Sequence, residues 1–198
     1  MPGTQYYAAA SLDGFIATTD DDLAWLTGYQ GSYEGAEVEP GKGSYDEFYE
    51  GVGATVMGST TYEWILRELR EHPTGRPVLD EWPYAGKPTW VLSSRELEMP
   101  PGDAEANDVR IRNASVPDLH EEMLASARDR NLWIVGGGPV ASQFAEAGLL
   151  DELHVTVVPV VLGSGRPLFE RPLAKPMQLA GTRVFASGMV ELRYELAR

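Results

Sequence analysis

Hydrophobic positions fall into short blocks separated by glycine-, proline- and acid-rich stretches, and the period inside each block predicts its element. Residues 6–10 form an apolar block, and "SLDGFIA" after it sets the turn pair Asp13-Gly14 between two strand-like pieces. A polar, glycine-rich stretch spans 18–43 with "LAWL" as its apolar anchor, the profile of a lid or binding loop. A short helix is expected over 44–50. "GATVMG" at 53–58 reads as a buried strand. Tyr62, Ile65, Leu66 and Leu69 then recur at i, i+3, i+4 and i+7, which predicts an amphipathic helix; Thr60 and Glu63 are spaced as its capping box.

Past the proline-rich stretch 72–88, strands are expected at 89–94 and 109–112, with a loop over 100–108 between them. Ser115 can cap a helix that carries Leu119, Met123, Leu124 and Ala127 on one face. "LWIV" at 132–135 is a strand, and a helix from about Pro139 turns Val140, Ala141, Phe144 and Ala145 inward. After Asp151 the style changes: "LHVTVVPVVLG" is a strand ending in a proline/glycine break. "MQLAGTRVFASGMVELRYEL" reads as two strands joined at Ser187-Gly188. The order argues an α/β fold, with a mostly parallel sheet covered on both faces and antiparallel strands at its C-terminal end. With 198 residues and no repeat or linker, a single domain over 1–198 is expected.

Charge and composition narrow the chemistry. A formal net charge of −14 argues against a nucleic-acid or anionic-membrane partner, because both need a basic footprint. No cysteine is present, which removes disulfides, thiol nucleophiles and cysteine-held zinc. The N-terminus lacks the basic start and apolar run of a signal peptide, and no apolar run approaches 18 residues, so a cytoplasmic protein is expected. His72, His120 and His154 are scattered without ligand spacing, and no metal site is expected.

Two predicted strands run into helices through glycine: Gly58-Ser59-Thr60 and Gly136-Gly137-Gly138. Helix N-termini present unpaired N–H groups, and a turn without side chains lets a phosphate approach them. In an open parallel sheet these turns sit at the strand ends that line the ligand crevice. Ser93-Ser94-Arg95 adds two hydroxyls and a guanidinium at a third such end. Neither a GxGxxG fingerprint nor a P-loop is present. A turn and a ligand cradle remain alternatives for each glycine.

"VMGSTTYEWI", "TWVLSSRE" and "LWIVGGGPVASQFAEAGLLDELHVTVVPVVLGSGRPLF", with "AASLDGFIA" before them, resemble the dihydrofolate reductase superfamily. The last stretch is similar to the reductase domain of the bifunctional riboflavin-biosynthesis deaminase/reductase and its stand-alone relatives. The resemblance covers residue 6 to the C-terminus. It implies a three-layer α/β/α fold and a pyridine-nucleotide-dependent reductase, often a homodimer, using NADPH with NADH as the alternative. Its substrate would be a small heterocycle or a carbonyl or imine compound, such as 5-amino-6-(5-phosphoribosylamino)uracil or dihydrofolate.

Carried over by position, Ala10, Ser11, Ile16 and Gly136 to Gly138 would border the nicotinamide, with a cis bond at Gly136-Gly137. Gly58, Ser59, Thr60, Thr61, Pro139, Val140 and Ala141 would hold the pyrophosphate, with Leu92 and Val135 adjoining. Ser93, Ser94 and Arg95 would face the 2′-phosphate. Many relatives carry a cation where this chain has Ser59, and riboflavin reductases commonly carry Lys where it has Phe15. Asp46 is the candidate proton donor, with Glu47 as its alternative, and Trp25 and Phe48 are candidates for the substrate side. Asp13 is read as a turn residue. A second reading keeps the fold as a nucleotide-binding protein without turnover. A third is an α/β domain that binds no nucleotide.

Overall fold

The computed structural model describes residues 2–29, 44–70 and 81–197. Part of the expected lid (30–43), His72 and much of the proline-rich stretch (72–80) lie outside them. The elements run β1 (Thr4–Ser11), β2 (Phe15–Ala17), α1 (Ala24–Thr27), α2 (Ser44–Glu50), β3 (Val52–Gly58) and α3 (Ser59–Arg70). Then come β4 (Thr89–Leu92), α4 (Ala104–Asn107), β5 (Val109–Arg112), α5 (Val116–Ser126), β6 (Asn131–Gly136) and α6 (Gly138–Glu146). β7 (Glu152–Val158), β8 (Arg166–Pro167), β9 (Gln178–Val184) and β10 (Val190–Glu195) complete the chain.

Eight strands form one sheet in the order β5-β4-β3-β6-β1-β7-β10-β9. Every pair from β5 to β7 is parallel, whereas β7-β10 and β10-β9 are antiparallel. The expected change of style after Asp151 is therefore a change of strand direction. Alternation along each strand builds two cores. Tyr6, Val56, Trp90 and Ile134 face α5 and α6, while Tyr7, Met57, Val91 and Trp133 face α2 and α3. Burying a side chain the size of Ile134 or Phe144 contributes about 2–3 kcal/mol. Among the described residues, no helix is long and apolar enough to cross a membrane.

Helix starts follow their local chemistry. The Ser115 hydroxyl accepts the Asp118 N–H at 3.4 Å, as its position predicts. The 100–108 loop contains a single turn, α4, capped by Asp103, whose carboxylate accepts from Glu105 N at 2.9 Å. One turn is too short to show a period. The capping box expected at Thr60 and Glu63 gives way to an ion pair. Both Glu63 oxygens take the Arg95 guanidinium, at 2.9 and 2.7 Å, because a bidentate charged fork outcompetes a single backbone N–H.

Candidate functional site: a crevice between parting strands

The parallel ladder between β1 and β6 stops at Tyr6–Ile134. Beyond it β1 follows β7 as far as Ser11–Val158, and β6 follows β3 as far as Met57–Gly136. The two strands part, and the helices after β3 and β6 leave to opposite faces of the sheet. A topological switch of this kind leaves a cleft at the carboxyl ends of the strands. Here it is a cavity of about 620 Å³ lined by Ala8 and Ala9 of β1, Val135 of β6 and the starts of α3 and α6.

Most residues expected to hold a cofactor meet in this crevice. Ile16, Gly58, Ser59, Thr60, Thr61, Leu92, Val135, Gly136, Gly137, Gly138, Pro139 and Val140 all line it. Ala10 and Ala141 are instead packed in the α5/α6 core. Ser11 is buried, donating to Asp13 Oδ1 at 2.7 Å and accepting from Phe15 N at 3.0 Å. Ser93, Ser94 and Arg95 lie beyond Leu92, outside the lining, where the Ser93 hydroxyl accepts from Arg95 N.

The glycine triplet departs from expectation in one respect: its Gly136-Gly137 bond is trans. The chain reverses instead through Gly137, at φ +95°, a conformation that side chains resist. Gly138 is required by contact, since a Cβ there would meet the Pro167 carbonyl oxygen at 2.4 Å. The turn thus serves geometry on one side and the crevice on the other.

Neither α3 nor α6 carries an acidic residue in its first turn, so the positive ends of both helices face the crevice with no carboxylate of their own to neutralise them. Hydroxyls of Ser59, Thr60 and Thr61 add neutral donors. Among the described lining residues Arg166 is the one cation, and Asp21 and Glu170 are the carboxylates. The α2/α3 side of the crevice is aromatic, with Tyr7, Trp64, Tyr84 and Trp133 in the lining. Trp133 is fixed by an indole N–H bond to Tyr7 O at 3.2 Å, and Tyr84 meets its ring edge-on at 5.6 Å. Burial pushes the Tyr84 hydroxyl far above the usual tyrosine range. None of these aromatics was expected at the site. The available signal was an aromatic on the strand that runs into the glycine turn.

The residues proposed for substrate and proton stand elsewhere. Asp46 is exposed on α2 and does not line the crevice. Trp25 packs beside Val158, Phe185 and Met189, and its buried indole N–H has no partner among the described residues. Phe48 stacks on Tyr7 at 4.7 Å and lines a second cavity, of about 500 Å³, between α2 and the antiparallel strands. There Glu47 accepts from Arg183 at 3.0 Å, and His154 shares a 2.9 Å hydrogen bond with Glu152. That bond holds the Glu152 carboxyl below its ordinary range. Asp13 is a structural residue, accepting from the Ser11 hydroxyl and from Leu162 N (3.1 Å) and Gly163 N (2.7 Å). The hydroxyl bond, helped by the two N–H groups, lowers its pKa.

An open, mostly parallel sheet with a cleft at its switch point and helix starts aimed into it defines an α/β domain whose ligand crevice lies at the strand ends. Comparison with known proteins makes this particular. Residues 4–191 match the family model of the RibD C-terminal domain, and the chain belongs to that family. It is 30% identical over 192 residues to the uncharacterized protein YwjB of Bacillus subtilis (strain 168), covering 96% of each chain. It is also 28% identical over 176 residues to the riboflavin biosynthesis protein RibD of Corynebacterium ammoniagenes, spanning 86% of this chain but 47% of that protein. The crystal structure of a protein from Shewanella sp. PV-4, assigned provisionally to riboflavin biosynthesis, superposes with a TM-score of 0.75 at 27% identity, covering 99% of both chains.

Proposed function

We propose that the crevice binds a reduced pyridine dinucleotide, NADPH with NADH as the weaker alternative, and that the protein is a reductase of a small, flat heterocyclic substrate. The observation that carries this is the pairing of two helix starts free of acidic residues with an aromatic wall across one cleft. The fit is chemical as well as spatial. The backbone N–H groups at the starts of α3 and α6, with the Ser59 to Thr61 hydroxyls, suit the pyrophosphate. Trp133, Tyr84 and Trp64 suit a planar ring and keep water from its face. Family membership adds that a relative of this fold is a diaminohydroxyphosphoribosylaminopyrimidine deaminase/5-amino-6-(5-phosphoribosylamino)uracil reductase from Thermotoga maritima.

When bound, a reduced nicotinamide supplies a hydride to an electron-poor C=N, C=O or C=C bond. The chain's part is to hold the two rings face to face and to exclude solvent. Asp46 has no place in this reading, because it stands outside the crevice. Arg95 also stands outside the lining, with its fork on Glu63; a role in reading the 2′-phosphate requires that pair to open, and Arg95→Ala should then weaken NADPH more than NADH. Exposed Leu179 and Val184 on the edge strand β9 support a homodimer. The deciding experiment follows NADPH absorbance at 340 nm with 5-amino-6-(5-phosphoribosylamino)uracil and with dihydrofolate. Oxidation with either is expected. Binding of NADPH without turnover of either would favour a nucleotide-binding protein instead.

A further inference from the structure

Arg166 stands on a short strap whose position is fixed by backbone packing. The strap pairs with β2 through Ala17–Arg166 and Phe15–Pro167, and Leu168 N bonds to Gly14 O at 3.0 Å. A Cβ at Gly165 would lie 2.2 Å from the Ala17 carbonyl oxygen, and one at Gly138 would lie 2.4 Å from that of Pro167. Arg166 is therefore held one residue from the start of α6, in the crevice lining. Its side chain is 55% exposed, and its guanidinium edge grips Asp21: Nε to Oδ1 at 2.7 Å and Nη2 to Oδ2 at 3.0 Å. Asp21 lines the same cavity and sits at φ +60°, in a loop closed by the Asp21 N–Thr18 O bond.

We infer that Arg166 is the cation that meets a phosphate group of the bound ligand, and that Asp21 holds this guanidinium in place until the phosphate takes over its fork. The inference rests on the crevice being the nucleotide site. Three facts support it. The planar fork that matches a carboxylate edge-on also matches a phosphate. An ion pair this exposed is weak, so exchanging one anion for another costs little. No other described residue in the lining can supply a positive charge. The phosphate belongs to the dinucleotide or to a phosphorylated substrate, and the two sources are separable by probe.

The test titrates ADP-ribose and ribose 5-phosphate separately into wild type, Arg166→Gln, Asp21→Asn and the double variant, by calorimetry, with Tm measured alongside. Arg166→Gln should weaken one probe about tenfold or more, and the affected probe identifies the source. Asp21→Asn should tighten the same probe by about twofold to fivefold, because it frees the fork. In the double variant that gain should vanish. A purely structural pair would give losses of the same sign for both single variants, and that result overturns the inference. So does a wild type that binds ADP-ribose while Arg166→Gln binds both probes equally well. A wild type that binds neither probe overturns the nucleotide reading itself.

Discussion

The crevice and the cavity beside α2 solve opposite problems. The crevice between β1 and β6 is opened by backbone: two strands part, two helices begin, and glycine and small hydroxyl residues line the helix starts opposite the aromatic wall. The cavity beside α2 is made by side chains, with Glu47 against Arg183, Glu152 against His154, and Glu191 accepting from the Tyr7 hydroxyl at 3.2 Å. In the second, most charge is spent inside the cluster. In the first, neither helix carries an acidic side chain in its first turn. The proposed ligand site is thus distinguished by unspent backbone polarity, not by a high density of ionisable groups.

This contrast can be broken most forcefully at Gly138. Gly138→Ala drives a methyl group against the Pro167 and Leu168 carbonyl oxygens, at 2.4 and 3.3 Å. It should cost about 2–3 kcal/mol, or roughly 5–10 °C in Tm. An unchanged Tm would mean that the strap does not press on α6. A smaller effect is expected from acid. Because its hydrogen bond to His154 lowers the pKa of Glu152, the carboxylate contributes stability above its ordinary value of 4.5, and this is lost as pH falls through the lowered one. Glu152→Gln should be less stable than wild type at pH 7 by about 0.5–1 kcal/mol, allowing for solvent screening. The gap should close as the solution is acidified below pH 4.5. A gap that stayed constant with pH would show that the Glu152–His154 hydrogen bond does not stabilise the fold. The smallest effect belongs to Gly181, in the wall of the side-chain cavity. Among the described residues, a Cβ there would meet only Arg193 Nε, at 4.0 Å. Gly181→Ala should move stability by no more than about 0.5 kcal/mol, and a large loss would contradict the division between the two cavities.

How much of this was legible in the chain follows from range. Periodicity found the long elements, because Tyr62, Ile65 and Leu66, or Leu119 and Met123, each report one face of one helix. The antiparallel hairpin showed itself through alternation and the Ser187-Gly188 turn, where Phe185 N bonds to Met189 O at 2.9 Å. β8 spans two residues and α4 four, too few for any period. The glycine turns announced the crevice, yet their reasons were invisible. Gly138 answers to Pro167, and Arg166 answers to Asp21 across 145 positions of sequence. The aromatic wall was equally hidden, because Trp64 of α3, Tyr84 of a turn and Trp133 of β6 meet only when the sheet forms. Local chemistry was readable; the partners that redirect it were not.

A calorimetric titration of the purified protein with NADPH is the direct test of the proposal that the crevice is a dinucleotide site. Saturable binding is predicted, with Tm rising as ligand increases and with an affinity that falls when Thr61, at the start of α3, is replaced by Val. Heats indistinguishable from dilution, with no rise in Tm at millimolar NADPH, would contradict it.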